Sequence, residues 1–252
     1  MSVALENWDP NPHWYTPLIL YSVIYISKFI MQILNRVEIH NQEAFQKLAN
    51  RNGRGLLTYS NHNCLFDDPF LLSLTAPVSI VRQRHIAADA QNFFSTKISG
   101  IIFSQGQCIP IVRGAGMNQP GFDYLKKVLR EGGWVHIFPE GTRNRNPENG
   151  IQSGFTQGIA HLILDSKPIV LPFYHQYMEK VLPVGGRFPR IGKKVRLVFG
   201  ESLDLEANQL KSLFGAKVFD SENFRDSISQ ITDWTYKTLK ALEDKTRNEF
   251  PN

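Results

Sequence analysis

The chain has 252 residues, enough for one large domain or two small ones with a sizeable buried core. Hydrophobic residues at 42% and charged residues at 20% exclude disorder as the default state, and the two cysteines, Cys64 and Cys108, exclude a disulfide framework or a zinc cluster. The 28 Lys/Arg against 23 Asp/Glu leave a net charge of +5, which suits an anionic partner; with no Cys/His finger and no RNP-like strand, an acidic membrane surface is a better reading than nucleic acid.

The first sixteen residues hold no Lys or Arg and include Glu6 and Asp9, so neither a secretory signal nor a mitochondrial presequence is expected there. Pro17–Leu34 is long and apolar, at the short end of what spans a bilayer, with Lys28 inside it. At about 100° per residue, Tyr21, Tyr25, Lys28 and Gln32 share one side, a narrow polar stripe suited to a helix lying in or dipping into the interface. A buried core helix is the competing reading. Residues 1–40 are therefore expected to form an N-terminal segment with a membrane-anchoring helix, and residues 41–252 the remaining domain.

Strands and helices alternate from residue 53 onward. Gly55–Ser60 reads as a buried strand, and Asp68-Pro69 as an N-cap and first helical position opening the helix Phe70–Leu74. Arg84–Ala88 reads as a strand, Asn92–Phe103 as a helix and Gln107–Val112 as a strand. Phe122–Leu129 is helical and stopped by Gly132-Gly133; Trp134–Phe138 is a strand closed by Pro139, followed by a polar loop from Glu140 to Gly150. Helix Phe155–Leu164, strands Pro168–Tyr174 and Lys194–Phe199, and a polar helical tail Glu222–Arg247 complete the pattern. This alternation predicts an α/β sandwich around one sheet.

Four segments lie at or just past strand ends, where α/β sheets gather their sites. In Asn61-His62-Asn63-Cys64-Leu65-Phe66-Asp67-Asp68, His62 is a natural general base and a carboxylate beside it would hold its tautomer. His62 and Asp67 are five apart, too far to be neighbours on a helix, so they meet only if the loop between them curls. Phe138-Pro139-Glu140-Gly141-Thr142-Arg143 offers backbone N–H groups and a guanidinium for a phosphate or oxyanion; a plain strand-ending turn is the bland alternative. Cys108–Gly114 delivers Arg113, either to a phosphate or to a surface ion pair, and Ile169–Pro172 is an apolar core strand. His136 sits mid-strand and reads as a packed histidine. The basic residues Arg187, Arg190, Lys193, Lys194 and Arg196 either face anionic headgroups or form a solvated loop.

In this order the four segments resemble the glycerolipid acyltransferase superfamily over about residues 55–175. The doubled acid Asp67-Asp68 before Pro69, Gly106–Ala115, Gly133–Gly141, Pro168–Pro172 and Phe188–Lys194 are similar, within it, to the tafazzin family. Two features depart from that pattern: the stretch between Ala115 and Phe122 is short, and Thr142-Arg143 follows the general acyltransferase form. The resemblance implies a glycerolipid acyltransferase-like α/β fold, a central mixed β-sheet flanked by helices with an N-terminal membrane-associated helix. It implies a coenzyme A-independent phospholipid–lysophospholipid transacylase remodelling lipids such as cardiolipin, with phosphatidylcholine or phosphatidylethanolamine as partner substrate, and no cofactor or metal. His62 is then the general base and Asp67 its partner, with Arg113, Glu140, Gly141 and Arg143 as substrate-binding residues. An acyl-thiol route through Cys64 and an acyl-CoA-dependent lysophospholipid acyltransferase remain as alternatives, with a lysophospholipase and a silent lipid-binding scaffold behind them. Mitochondrial membranes are implied for a eukaryotic source and the inner membrane for a bacterial one. Pro17–Leu34 is the first expected anchor and the apolar block Phe155–Tyr174 the second.

Overall fold

The structure, a computed structural model, describes residues 3–50, 53–75 and 84–251. Among these, eight strands make one mixed sheet: β1 (Arg36–His40), β2 (Leu56–Tyr59), β3 (Arg84–Asp89), β4 (Cys108–Ile111), β5 (Trp134–Ile137), β6 (Ile169–Gln176), β7 (Lys194–Phe199) and β8 (Leu203–Asp204). Their order is β1-β7-β6-β2-β5-β3-β4, with β8 beside β6. The run β6-β2-β5-β3-β4 is parallel; β7 joins β6 antiparallel, and β1 lies parallel to β7.

The helices are α1 (Val3–Glu6), α2 (Thr16–Lys28, continued by a π-helical turn over Phe29–Ile33), α3 (Gln42–Gln46), α4 (Asp67–Thr75), α5 (Ala90–Phe93), α6 (Lys97–Gln105), α7 (Pro120–Arg130), α8 (Gly158–Ser166), α9 (Met178–Val181), α10 (Ala207–Phe214) and α11 (Phe224–Glu249). Parallel strands read as continuous apolar runs because helices cover both faces. Alternate residues accordingly feed two cores. Leu57, Tyr59, Val135 and Val170 pack with Leu125 of α7, Ile159 of α8 and Ile231 of α11. Leu56, Trp134, Leu171 and Phe173 pack with Ile24 of α2, Phe70 of α4 and Met178 of α9.

Several expectations change in detail. The helix expected over Asn92–Phe103 is two helices, because Thr96 and Ser99 form a capping box that restarts the chain. Helix α4 begins at Asp67, two residues earlier than Pro69, and Asp68 is not its cap. The Asp68 carboxylate instead accepts both Nε and an Nη of the buried Arg84, whose other Nη donates to Gly106 O at 2.8 Å. The block Phe155–Tyr174, offered as a second membrane contact, lies in the core: β6 is buried along its whole length, and α8 turns Ile159, Leu162 and Ile163 inward. Strand β1 escaped the sequence reading because it is short, charged and half-exposed at the sheet edge. A boundary drawn at residue 40/41 runs between β1 and the sheet to which β1 is hydrogen-bonded.

The stretch Thr16–Ile33 is long and apolar enough to cross a membrane by length and composition, and 28% of it is buried. Leu20, Ile24, Ser27 and Met31 turn inward, while Leu18, Ile26, Phe29 and Ile33 are exposed. A helix with that much outward apolar surface differs from a soluble core helix.

Candidate active site

Strand β2 ends at Tyr59 in the middle of the sheet, and the next residues are clamped on both sides. Asn61 exchanges two side-chain hydrogen bonds with the backbone of His175 at the end of the neighbouring strand β6, at 2.9 and 3.0 Å. The His62 N–H donates to Glu140 Oε1 at 2.7 Å, and the Asn144 N–H donates to His62 O at 2.6 Å. The His62 backbone is thus stitched to the polar loop after β5, and its ring stacks on Phe138 with centroids 4.1 Å apart.

The loop curls because Asp67 draws it in. Asp67 Oδ2 accepts the N–H groups of Asn63 and Cys64 at 2.7 and 2.9 Å, and lies 3.0 Å from His62 Nδ1. Asp67 is completely buried, whereas the His62 side chain keeps 18% of its surface exposed. A carboxylate against Nδ1 holds the proton there, which leaves the Nε2 lone pair free; among the described residues Nε2 has no hydrogen-bond partner.

The other expected site residues divide. Glu140 is buried and its two oxygens hold the backbone N–H groups of His62 and Gln152, so this carboxylate positions protein rather than facing a ligand. Burial raises its pKa, opposed by those two donors. The Gly141 N–H donates to Phe138 O at 3.0 Å and is therefore not free for an oxyanion in this conformation. With φ at +69° and Thr156 Cγ2 only 2.7 Å from where a Cβ would sit, the position needs glycine. Arg143, half-buried on the same loop, has no hydrogen-bond or ion-pair partner among the described residues, and its charge reaches Cys64. Arg113 is not brought to His62. It pairs with Asp89 at the end of β3, and β4 lies three strands from β2, about 14 Å at 4.8 Å per strand.

Cys64 is buried, and burial together with the Asp67 charge pushes its thiol pKa up, which works against the thiolate that an acyl-thiol route needs. His175 was missed by sequence reasoning. Its Nε2 donates to Asn61 O at 2.8 Å and lies 3.6 Å from Asp67 Oδ2. No local pattern signals it; only the adjacency of β6 and β2 does.

His136 is packed in the core, as its mid-strand place implied: Nδ1 meets Thr58 Oγ1 at 2.9 Å and the ring stacks on Phe173. Burial first, then the Arg84 charge, holds its pKa well below 6.5; for His85, burial and Arg84 lower it to about 4. Both groups stay neutral in the folded chain while the unfolded chain takes up protons below its ordinary histidine pKa. Stability is therefore held at neutral pH and falls as pH drops below about 6.5, approaching about 1.4 kcal/mol per pH unit for each histidine, with the His85 contribution ending near pH 4. Urea titrations at neutral and mildly acidic pH should show this loss, and His136→Phe should flatten it by about one proton's worth.

The acyltransferase family model matches residues 36–176, and the chain belongs to that family. Tafazzin from Drosophila melanogaster is 32% identical over 96% of this chain, so the likeness read from the motifs extends over nearly the whole length. The chain spans 65% of that relative. An N-acylphosphatidylethanolamine synthase from Arabidopsis thaliana is 28% identical, over 84% of this chain and 78% of that protein. The fold is that of the 1-acyl-sn-glycerophosphate (LPA) acyltransferase PlsC from Thermotoga maritima, with a TM-score of 0.52 at 19% identity, covering 90% of this chain and 82% of that one.

Proposed function

We propose that this protein moves an acyl chain from a phospholipid to a lysophospholipid without coenzyme A, with His62 as general base and Asp67 as its orienting partner. The observation that carries the proposal is the 3.0 Å contact between His62 Nδ1 and the buried Asp67 carboxylate, which turns a free Nε2 outward. Nε2 takes the proton from the lysophospholipid hydroxyl as that oxygen attacks the ester carbonyl of the donor lipid. Asp67 stabilises the resulting imidazolium. The tetrahedral oxyanion needs a donor, and the Arg143 guanidinium, without a partner among the described residues, supports that role better than the engaged Gly141 N–H. Collapse expels the lysophospholipid oxygen, which recovers the proton from His62. One ester is exchanged for a like ester, so the reaction runs in both directions.

Cardiolipin, with phosphatidylcholine or phosphatidylethanolamine, is the lipid set that the motif resemblance implies and that we carry into this proposal, at a mitochondrial membrane in a eukaryote or the inner membrane of a bacterium; the likeness to a tafazzin over 96% of the chain supports that resemblance. The exposed apolar face of α2 supports attachment to that membrane. Acyl-CoA as donor is the second reading, favoured by the same Arg143, since a guanidinium also suits the phosphates of coenzyme A. Purified protein given labelled phospholipid and lysophospholipid, with coenzyme A strictly absent, should redistribute label between the lipids. Turnover only on adding acyl-CoA would establish the second reading, and free fatty acid as the main product would mean that water is the acceptor.

A further inference from the structure

The loop 183–193 between α9 and β7 has the composition of a membrane contact and sits where such a contact would serve the site. Phe188 and Ile191 are 81% and 66% exposed. From Lys180 to Gly200 the chain carries six Lys/Arg and no Asp or Glu. Lys194 and Arg196 are committed to Glu38, whereas Arg187, Arg190 and Lys193 have no ion-pair partner among the described residues. Exposed aromatic and aliphatic side chains between unpaired cations are costly in water and favourable at an anionic bilayer surface.

The fold directs this loop to a particular edge. Strand β6 is antiparallel to β7 with Gln176 beside Arg196, and β7 is parallel to β1 with Lys194 beside Arg36. The end of β6, the start of β7 and the start of β1 therefore meet at one edge of the sheet. That is the edge at which β2, parallel to β6, delivers His62. Two hydrogen bonds tie the loop there: the Gly192 N–H donates to Leu34 O at 2.7 Å, and the Lys193 N–H to the side-chain Oδ1 of Asn35 at 2.8 Å. Leu34 directly follows the apolar helix, whose exposed Phe29 and Ile33 continue the surface.

We propose that loop 183–193 reads the charge of the bilayer. Phe188 and Ile191 enter the interface, Arg187, Arg190 and Lys193 take the phosphates of anionic lipids, and the His62 edge of the sheet is thereby turned toward its substrates. This rests on the membrane association proposed above and not on the acyl-transfer chemistry. Each cation should strengthen binding to an anionic surface about fivefold, and the three together on the order of a hundredfold.

The test is sedimentation of the full chain with phosphatidylcholine vesicles, with and without phosphatidylglycerol. Wild type should favour the anionic vesicles, less so as salt rises, and R187A/R190A/K193A should lose that preference while keeping the residual affinity for phosphatidylcholine that α2 supplies. A Phe188→Trp variant should show a larger blue shift on anionic vesicles than wild type, whose four native tryptophans set the background, a readout that does not depend on the triple variant folding. Equal binding by wild type and triple variant, or an emission shift of vesicle-bound Phe188→Trp no larger than that of wild type, overturns the proposal and leaves the acyl-transfer reading untouched. Absence of binding to either vesicle overturns the membrane association as well. Concentration-dependent self-association abolished by Phe188→Ser, without lipid dependence, overturns it in favour of a second copy on this face.

Discussion

His62→Ala is expected to lower acyl transfer by about 10²–10⁴-fold, the usual contribution of a positioned general base, with the fold and vesicle binding retained. Among the described residues the ring makes one hydrogen bond, to Asp67, and one stacking contact, on Phe138, while the backbone of residue 62 is held by Glu140 and Asn144. Alanine keeps those backbone bonds and removes only the ring. Asp67→Asn should act differently, because Asp67 accepts the N–H groups of Asn63 and Cys64 as well as Nδ1. An amide there can leave His62 in the wrong tautomer, and the pH dependence of the residual rate should change along with its size. Circular dichroism and label redistribution on the same preparations separate the two outcomes. A His62→Ala variant that turns over at the wild-type rate removes His62 from the reaction.

The largest expected loss of stability is at Arg84. Its guanidinium is buried, binds both oxygens of Asp68 and donates to Gly106 O, joining the first turn of α4 to the start of β3 and to the turn before β4. Removing one member of a buried ion pair leaves an uncompensated charge, which costs about 3–5 kcal/mol. At roughly 2–4 °C per kcal/mol for a chain of this size, Arg84→Met should lower Tm by about 6–20 °C. Adding Asp68→Leu should recover much of the loss, because the stranded carboxylate is then gone; thermal unfolding of the two single variants and the double closes the cycle. Strictly additive losses would show that the pair is not coupled. The activity of these variants also bears on the site, since Asp68 adjoins Asp67.

The particular elements show why some of this was legible beforehand. Strands β2, β5 and β6 are parallel and covered on both faces, so their sequences are largely apolar runs, interrupted by only a few buried polar groups such as Thr58 and His136. Helix α7, with its apolar stripe and its Gly132-Gly133 stop, read equally plainly. Strand β1 did not, because an edge strand carrying Arg36 and Glu38 has too little buried surface to leave a periodic mark.

The site follows the same division. The residue types and spacing from Asn61 to Asp68 carried the pairing of an imidazole with a carboxylate, together with the condition that the loop must curl, because the chemistry of a general base and the geometry of a helix are both local constraints. Which groups enforce the curl was decided only by tertiary structure. Asp67 is held by backbone donors within its own loop, but Glu140, Asn144 and His175 reach His62 and Asn61 from 78 to 114 residues away. Strand order brings them there; it also sets Arg113 against Asp89, three strands from β2, and makes Asp68 the partner of Arg84 rather than a helix cap. Periodicity and spacing record what a residue does with its chain neighbours; which strands lie side by side depends on how distant apolar faces pack, and no short segment encodes that.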